Sequence, residues 1–331
     1  MENGKKDMND NILVVNHLKK YYSVKKVAFG KRKTYVKAVD DVSFTIKRGT
    51  TMGLVGESGC GKTTIGRTIL RLHEVTAGQV LFDGIDLAKI PANKLRKLRP
   101  QMQMIFQDPY SSLSPRLPVG EIIGEAVKEH KVIPKSQYRQ YILKVMRDCG
   151  LQPQYFYRYP HEFSGGQRQR ISIARAVALN PKFIICDEPL SALDVSIQSQ
   201  IINLMKDLQE QFGYTYLFIS HDLSVVEHIS DTIGVMYLGS MMEFGDKKLV
   251  FSNPMHPYTK ALLSAVPVSD PDIKMNRIIL KGDIPSPINP PSGCKFRTRC
   301  QNCMDICSKK EPILKEYEKG HMVACHLYPQ D

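Results

Sequence analysis

Residues 56–63 read Gly56-Glu57-Ser58-Gly59-Cys60-Gly61-Lys62-Thr63. The stretch satisfies G-x-x-x-x-G-K-[ST], a loop whose backbone N–H groups cradle phosphate oxygens. Upstream, residues 51–55 (Thr-Met-Gly-Leu-Val) read as a short buried strand. Downstream, residues 64–72 read as a helix with Ile65, Ile69 and Leu72 as its apolar positions. Strand, loop and helix in that order are the context the motif needs. Gly56, Gly59 and Gly61 let the backbone curl so that its amides point inward. The helix N-terminus adds partial positive charge. Lys62 supplies a point charge for β- and γ-phosphates, and the Thr63 hydroxyl is a candidate Mg²⁺ ligand. With Thr64, these residues form a candidate nucleoside-triphosphate site.

A second segment fits the first. Residues 183–188 (Phe-Ile-Ile-Cys-Asp-Glu) are an apolar run ending in two carboxylates. That pattern suits a central parallel strand with its polar end at a ligand edge. Asp187 is placed to hold Mg²⁺, directly or through water. Glu188 beside it can polarise an attacking water as general base. Alone, the segment would also fit a buried strand followed by an acidic turn.

The ordered set of motifs identifies the machine. About a hundred residues after the loop comes Phe163-Ser164-Gly165-Gly166-Gln167. With it, residues 11–250 resemble an ATP-binding cassette (ABC) ATPase. The resemblance implies two cassettes packed head to tail, each ATP lying between one subunit's P-loop and the other's signature motif. Ser164, Gly165, Gly166 and Gln167 match that signature, and Phe163 stands where Leu is usual. A Ser-Gly-Gly turn opening a helix over 167–179 offers a second positive N-terminus to the γ-phosphate. Gln107 matches the Q-loop, which in the family contacts Mg²⁺, the attacking water and the membrane partner. Residues 191–194, ending in Asp194, match the D-loop at the dimer seam. His221 matches the switch histidine that meets the γ-phosphate. Tyr22 is the first choice for the aromatic that stacks on adenine, with Tyr21 and Tyr35 as alternatives. The resemblance thus implies an α/β P-loop cassette with a RecA-like core, an antiparallel β layer and a helical subdomain near 107–165. Catalysis falls to Glu188, His221 and Gln107, and Mg²⁺ to Thr63, Gln107 and Asp187.

Composition bounds the rest. The chain has 331 residues, 42% of them hydrophobic, enough for one large domain with an appendage. No stretch approaches the roughly eighteen apolar residues of a membrane span. Residues 1–7 lack the apolar run of a signal peptide. A soluble protein at the cytoplasmic face of a membrane, bound there through partners, is the expectation. Net charge is +13, and residues 11–39 hold no acid while Lys19, Lys20, Lys25, Lys26, Lys31, Arg32, Lys33 and Lys37 accumulate. A solvated hairpin arm accounts for this, a membrane-facing surface is the second choice, and no nucleic-acid partner is expected.

The chain changes character at residue 251. Pro254, Pro257, Pro267, Pro271, Pro285, Pro287, Pro290 and Pro291 crowd the next forty residues, leaving one short helix near 258–265 as the expected element. Residues 253–263 and 283–294 are similar to the C-terminal region of oligopeptide and dipeptide importer ATPases. The likeness then covers nearly the whole chain, as a cassette over 1–250 and a Pro/Cys-rich region over 251–331. Cys294, Cys300, Cys303, Cys307 and Cys325 cluster there. In a reducing compartment such clustered thiols point to a metal rather than to disulfides. The Cys300-x₂-Cys303 spacing alone leans to Zn²⁺. The importer pattern instead selects Cys294, Cys300, Cys307 and Cys325 and implies a structural [4Fe–4S] cluster. Cys60, at a helix N-terminus, is expected to have a lowered pKa, and its alkylation to block ATP binding.

The resulting expectation is the ATPase of a peptide importer, with a second and different cassette, two membrane permease subunits and an extracytoplasmic peptide-binding protein as partners. Nickel, glutathione or another small solute is the alternative cargo. A non-transport ABC ATPase is the alternative class, though such proteins carry long coiled coils or two cassettes.

Overall fold

The computed structural model describes residues 10–24, 34–266 and 277–329. The N-terminal residues 1–7, the basic stretch 25–33, Pro267 and Pro271 lie outside the described residues. The strands are β1 (Asn11–Ser23), β2 (Tyr35–Lys47), β3 (Thr51–Val55), β4 (Ala77–Phe82), β5 (Ile85–Asp86), β6 (Met102–Ile105), β7 (Phe183–Asp187), β8 (Thr215–Ile219), β9 (Thr232–Tyr237), β10 (Ser240–Asp246), β11 (Lys315–Glu318) and β12 (His321–Val323). The chain forms two compact units. One holds Met1–Ile12, Ile46–Thr51 and Lys89–Ile219; the other holds Leu13–Thr45, Met52–Ala88 and Ser220–Asp331.

In the first unit β8, β7 and β6 lie side by side in that order. All are parallel, with Ile105 opposite Cys186 and Asp187 opposite Ile219. Every residue of β7 and β8 is buried. Unbroken apolar runs do this because a parallel strand is covered on both faces. Around them stand the helices Val119–Glu129, Tyr138–Asp148, Gly165–Val177 and Val195–Phe212. The helix Gly165–Val177 lies within two residues, at both ends, of the helix expected over 167–179. The helix Val195–Phe212 buries Ile201, Met205 and Leu208, one stripe at helical spacing.

The second unit contains an antiparallel layer ordered β2-β1-β4-β5, with Leu13 opposite Phe82 and Val15 opposite Val80. Along β2 the buried residues Val39, Val42, Phe44 and Ile46 alternate only after residue 42. Asp41 explains the slip: its φ of 62° is left-handed, and it steps the strand by one residue. The unit also orders β11-β12-β10-β9-β3. Here β3 runs parallel to β9, and β9 returns antiparallel as β10 through Leu238 and Gly239, both at positive φ. That is the turn geometry a two-residue hairpin favours.

Two expectations change. The helix after the P-loop is Lys62–Ile69, and Leu72 is 48% exposed rather than part of its apolar face. Arg71, left-handed at φ 51°, closes the helix: its N–H donates to the Thr68 carbonyl and that of Leu72 to the Arg67 carbonyl. The C-terminal tail holds more than the short helix, found at Pro257–Ser264. It also forms the β11–β12 hairpin, which docks on β10 with Val323 opposite Glu243.

A buried polar knot fixes that hairpin. Glu243 is fully buried and accepts from the N–H groups of Met255 and His256, both at 2.8 Å, and from His321 Nε2 at 2.7 Å. His256 Nδ1 in turn accepts from the Tyr258 N–H at 3.0 Å, capping the helix Pro257–Ser264. Burial lowers the His256 pKa to about 4, although the Glu243 charge raises it. An unfolded histidine titrates near 6.5, so the folded state refuses a proton that the unfolded state takes. Stability contributed by neutral His256 is therefore complete above pH 6.5 and is lost as pH falls toward 4, on the order of 3 kcal/mol in all. His256→Asn keeps a capping acceptor and removes the titration. Its melting temperature is expected to fall less than the wild type's between pH 7 and 4.5.

Candidate nucleotide site

In the second unit the P-loop leaves β3 and enters the helix Lys62–Ile69. Gly56, Gly59 and Gly61 take φ values of 150°, 78° and 108°. A Cβ on Gly56 would lie 2.2 Å from the Met236 carbonyl oxygen, and one on Gly61 2.2 Å from that of Ala38. Glu57 is half-buried while Ser58 and Gly59 are exposed at the loop's outer curve. Lys62 is 4% exposed and folds back on the loop, donating to the carbonyls of Gly56 (2.7 Å) and Glu57 (3.1 Å). Thr63 and Thr64 follow on the first turn, both partly exposed.

Cys60 corrects a sequence expectation. It is buried, and burial raises its thiol pKa, with Lys62 pulling the other way. The desolvation outweighs the helix terminus. Cys303 is exposed. Brief maleimide treatment should therefore modify Cys303 well before Cys60, as peptide mapping by mass spectrometry would report; faster loss of Cys60 would contradict its burial.

Tyr22, on β1, lies edge-on to His73 with ring centroids 5.8 Å apart, and Lys20 Nζ sits 4.7 Å from its centroid. Burial raises its phenol pKa, offset by a hydrogen bond with Thr64 and by Arg67, so its hydroxyl borders the P-loop helix. Tyr21 is committed elsewhere: its hydroxyl donates to Asp40. Tyr35 is 41% exposed. His221 is exposed at the start of the turn that Asp222 closes by capping the helix Leu223–Ile229.

The first unit carries the carboxylates. Asp187 ends β7 and is buried; Glu188 follows at a left-handed φ of 47°. A non-glycine residue held there marks strain of the kind found at working sites. The Glu188 N–H donates to the Ile219 carbonyl at 2.9 Å, which fixes the kink. Gln107, just past β6, donates from Nε2 to Glu188 Oε2 at 2.9 Å. The Q-loop glutamine and the candidate base are thus in direct contact.

The signature segment opens the helix Gly165–Val177. Ser164 Oγ accepts from the Gln167 N–H at 3.4 Å, and Gln167 Oε1 accepts from the Ser164 N–H at 3.1 Å, a reciprocal cap. Ser164 and Gly165 remain exposed. A Cβ on Gly166 would come 2.5 Å from Ile197 Cγ2. The signature helix therefore packs on the start of Val195–Phe212, whose N-cap is Asp194. Phe163, the departure from Leu, is buried with its ring edge-on to Tyr155 at 5.2 Å.

In the tail, Cys294, Cys307 and Cys325 are buried and Cys300 is half-exposed. Burial pushes Cys294 up to about 12, and the charges of Cys307, Cys325 and Cys300 add to this. Burial likewise pushes Cys325 to about 11, with Cys300 and Cys307 adding. Among the described residues, however, no group of three or more His, Cys, Asp or Glu side chains is arranged to hold a metal ion.

Such an arrangement is the equipment of an ATPase of the cassette type, and comparison with known proteins agrees. Residues 39–191 match the ABC transporter family, and residues 242–307 match the oligopeptide/dipeptide transporter C-terminal region. The oligopeptide transport ATP-binding protein AppF of Bacillus subtilis (strain 168) is 54% identical over 322 residues, covering 96% of this chain and 98% of that protein. Among solved structures, CbiO1 of Clostridium perfringens, part of the ABC transporter complex CbiONQ, superposes with a TM-score of 0.64 at 26% identity, over 74% of this chain and 92% of that one. The cassette MJ0796, solved as a post-hydrolysis dimer bound to ADP and Pi, gives 0.62 at 28% identity, over 71% and 98%. The chain belongs to the ABC transporter ATPase family, in the branch that carries the oligopeptide/dipeptide C-terminal region.

Proposed function

We propose that this chain hydrolyses ATP to drive uptake of di- or oligopeptides through partner permease subunits. The observation that carries this reading is the joining, in one chain, of a cassette with every expected catalytic residue to the oligopeptide/dipeptide C-terminal region. Likeness to AppF along almost the full length of both proteins supports it.

In this reading Gly56–Thr64 hold the triphosphate, with Tyr22 against adenine. Lys62 exchanges the Gly56 and Glu57 carbonyls for phosphate oxygens. Thr63, Gln107 and Asp187 would hold Mg²⁺, which their hard oxygen donors suit, and the ion would supply neutralisation of the charge on the phosphates. Glu188 takes a proton from the attacking water, while Gln107 and His221 keep that water in line. Ser164, Gly165, Gly166, Gln167 and Asp194 serve the ATP of a facing cassette. A related second ATPase is the favoured partner there. ATP draws the cassettes together and hydrolysis releases them, which moves the permeases. The partners are two such permeases and an extracytoplasmic peptide-binding protein; nucleic acid is not among them. No helix among the described residues is long and apolar enough to cross a membrane, and attachment at the cytoplasmic face would come through the permeases.

The cassette is assigned to 1–250 and the C-terminal region to 251–331. Cys294, Cys300, Cys307 and Cys325 are assigned a structural [4Fe–4S] cluster, with Zn²⁺ the competing occupant. Four soft sulfur donors suit either, and binding would displace their protons to give thiolate ligands. Metal analysis of anaerobically purified protein distinguishes iron with sulfide from zinc, and finding neither would end this assignment.

Affinity purification of the tagged chain from mildly solubilised native membranes tests the main reading. Recovery of two multi-span permeases and a second cassette is expected. Recovery of only ribosomal or DNA-associated proteins would overturn the transport role and leave the ATP chemistry standing.

A further inference from the structure

The cysteine-rich tail grips the P-loop. Arg299 Nη1 lies 2.6 Å from Glu57 Oε2, and Nη2 lies 3.0 Å from Oε1, fork on fork. The side chains are 9% and 24% exposed, so solvent screens the pair little. The Arg299 guanidinium also lies over the Tyr237 ring, 5.8 Å from its centroid. Glu57 is held from a second side as well: its N–H donates to Tyr258 Oη at 2.9 Å, and Tyr258 is fully buried. Its third contact, from Lys62 to its carbonyl, is the one ATP must break. Once Lys62 leaves for the phosphates, the Cys60 N–H still donates to the Glu57 carbonyl (3.2 Å) within the loop, and Arg299 and Tyr258 hold Glu57 from outside it.

The other end of this lever is the cysteine cluster. Arg299 precedes Cys300 directly. The turn from Cys294 to Cys300 is stiff: the Arg297 N–H donates to the Cys294 carbonyl (3.1 Å) and the Arg299 N–H to the Phe296 carbonyl (3.0 Å). Phe296 is buried with its ring 5.3 Å from those of both Tyr237 and Tyr258. Lys295, 4% exposed, donates to Asp40 Oδ2 (2.9 Å) and Ser240 Oγ (2.6 Å). The turn is thus pinned at Lys295 and Phe296. A change at Cys300 reaches Arg299 through one peptide unit.

We propose that Arg299 is a positioning residue that couples the packing of the turn from Cys294 to Cys300 to the P-loop, so that an undisturbed turn is needed for full ATP affinity. The proposal rests on the P-loop being the ATP site. Disturbing the turn at Cys300 releases Arg299, loosens Glu57, and makes ATP binding order a loop that was ordered beforehand. The chemical step, carried by other residues, is untouched.

The test is a binding and kinetic series on the full chain: wild type, Arg299→Met, Arg299→Lys, Cys300→Ser, and the Arg299→Met/Cys300→Ser double variant. Arg299→Met should weaken ATP binding about tenfold, within the range usual for coupled sites. It should raise KM and leave kcat near wild type, a split that general unfolding would not give. Arg299→Lys keeps the charge without the fork and should fall between. Cys300→Ser should show the same loss, and the double variant should be no worse than either single one, because both act through one contact. Wild-type affinity in Arg299→Met overturns the coupling alone, as do losses that multiply in the double variant. A wild type that binds no ATP overturns the nucleotide site as well. If Cys300→Ser does not fold, the order wild type, Arg299→Lys, Arg299→Met in affinity decides.

Discussion

Glu188→Gln is expected to lower steady-state ATP turnover by about a hundred- to ten-thousandfold, the usual contribution of a general base, while ATP binding is retained. The substitution conserves shape at a demanding position. Glu188 sits at a φ of 47° with its N–H on the Ile219 carbonyl, so a smaller or branched residue would disturb the end of β7. A glutamine carbonyl can still accept the hydrogen bond from Gln107 Nε2 that the carboxylate now takes at 2.9 Å. Only the ability to take a proton is lost. With hydrolysis blocked, ATP should hold the cassettes together, visible as an ATP-dependent shift to larger species in size-exclusion chromatography. Turnover near the wild-type rate would remove Glu188 from this role.

Gly61→Ala is expected to weaken ATP binding by about a hundredfold, matching the ~3 kcal/mol at the upper end of what one strained backbone position costs. Two penalties coincide there. The φ of 108° is closed to L side chains, and the new Cβ would meet the Ala38 carbonyl oxygen at 2.2 Å, where backbone cannot yield cheaply. The loop must shift, and its amides lose their aim. Gly59→Ala is the internal control. Its φ of 78° carries the strain, but nothing lies within 4 Å of its Cβ, so its loss should be smaller. Calorimetric titration with ATP would rank the two, and an equal or reversed order would contradict the close approach to Ala38.

Much of the architecture was legible because apolar runs and phosphate-loop chemistry are local. Strands β3 and β7 fall at their expected residues, since a short buried run between breakers has few other readings. The helix Val195–Phe212 is absent from the expectations. Its first residue, Val195, is 78% exposed, and its buried stripe starts only at Ile201, so the D-loop pattern ahead of it conceals the onset. The β11–β12 hairpin was also not legible. Its strands are four and three residues long and one reads Lys-Glu-Tyr-Glu; what holds it is His321 on Glu243, 78 residues away. Lys295 and Asp40 are partners across 255 residues. Local pattern carries no record of such pairings. The same holds for Arg299 and Glu57, 242 residues apart.

The most direct test of the account is ATP hydrolysis by the complex recovered from membranes, reconstituted into vesicles with its peptide-binding protein outside. The account predicts phosphate release that rises when peptide is supplied, together with peptide uptake, and that Glu188→Gln abolishes both. Hydrolysis indifferent to peptide, or stimulated instead by nucleic acid or ribosomes, would contradict it.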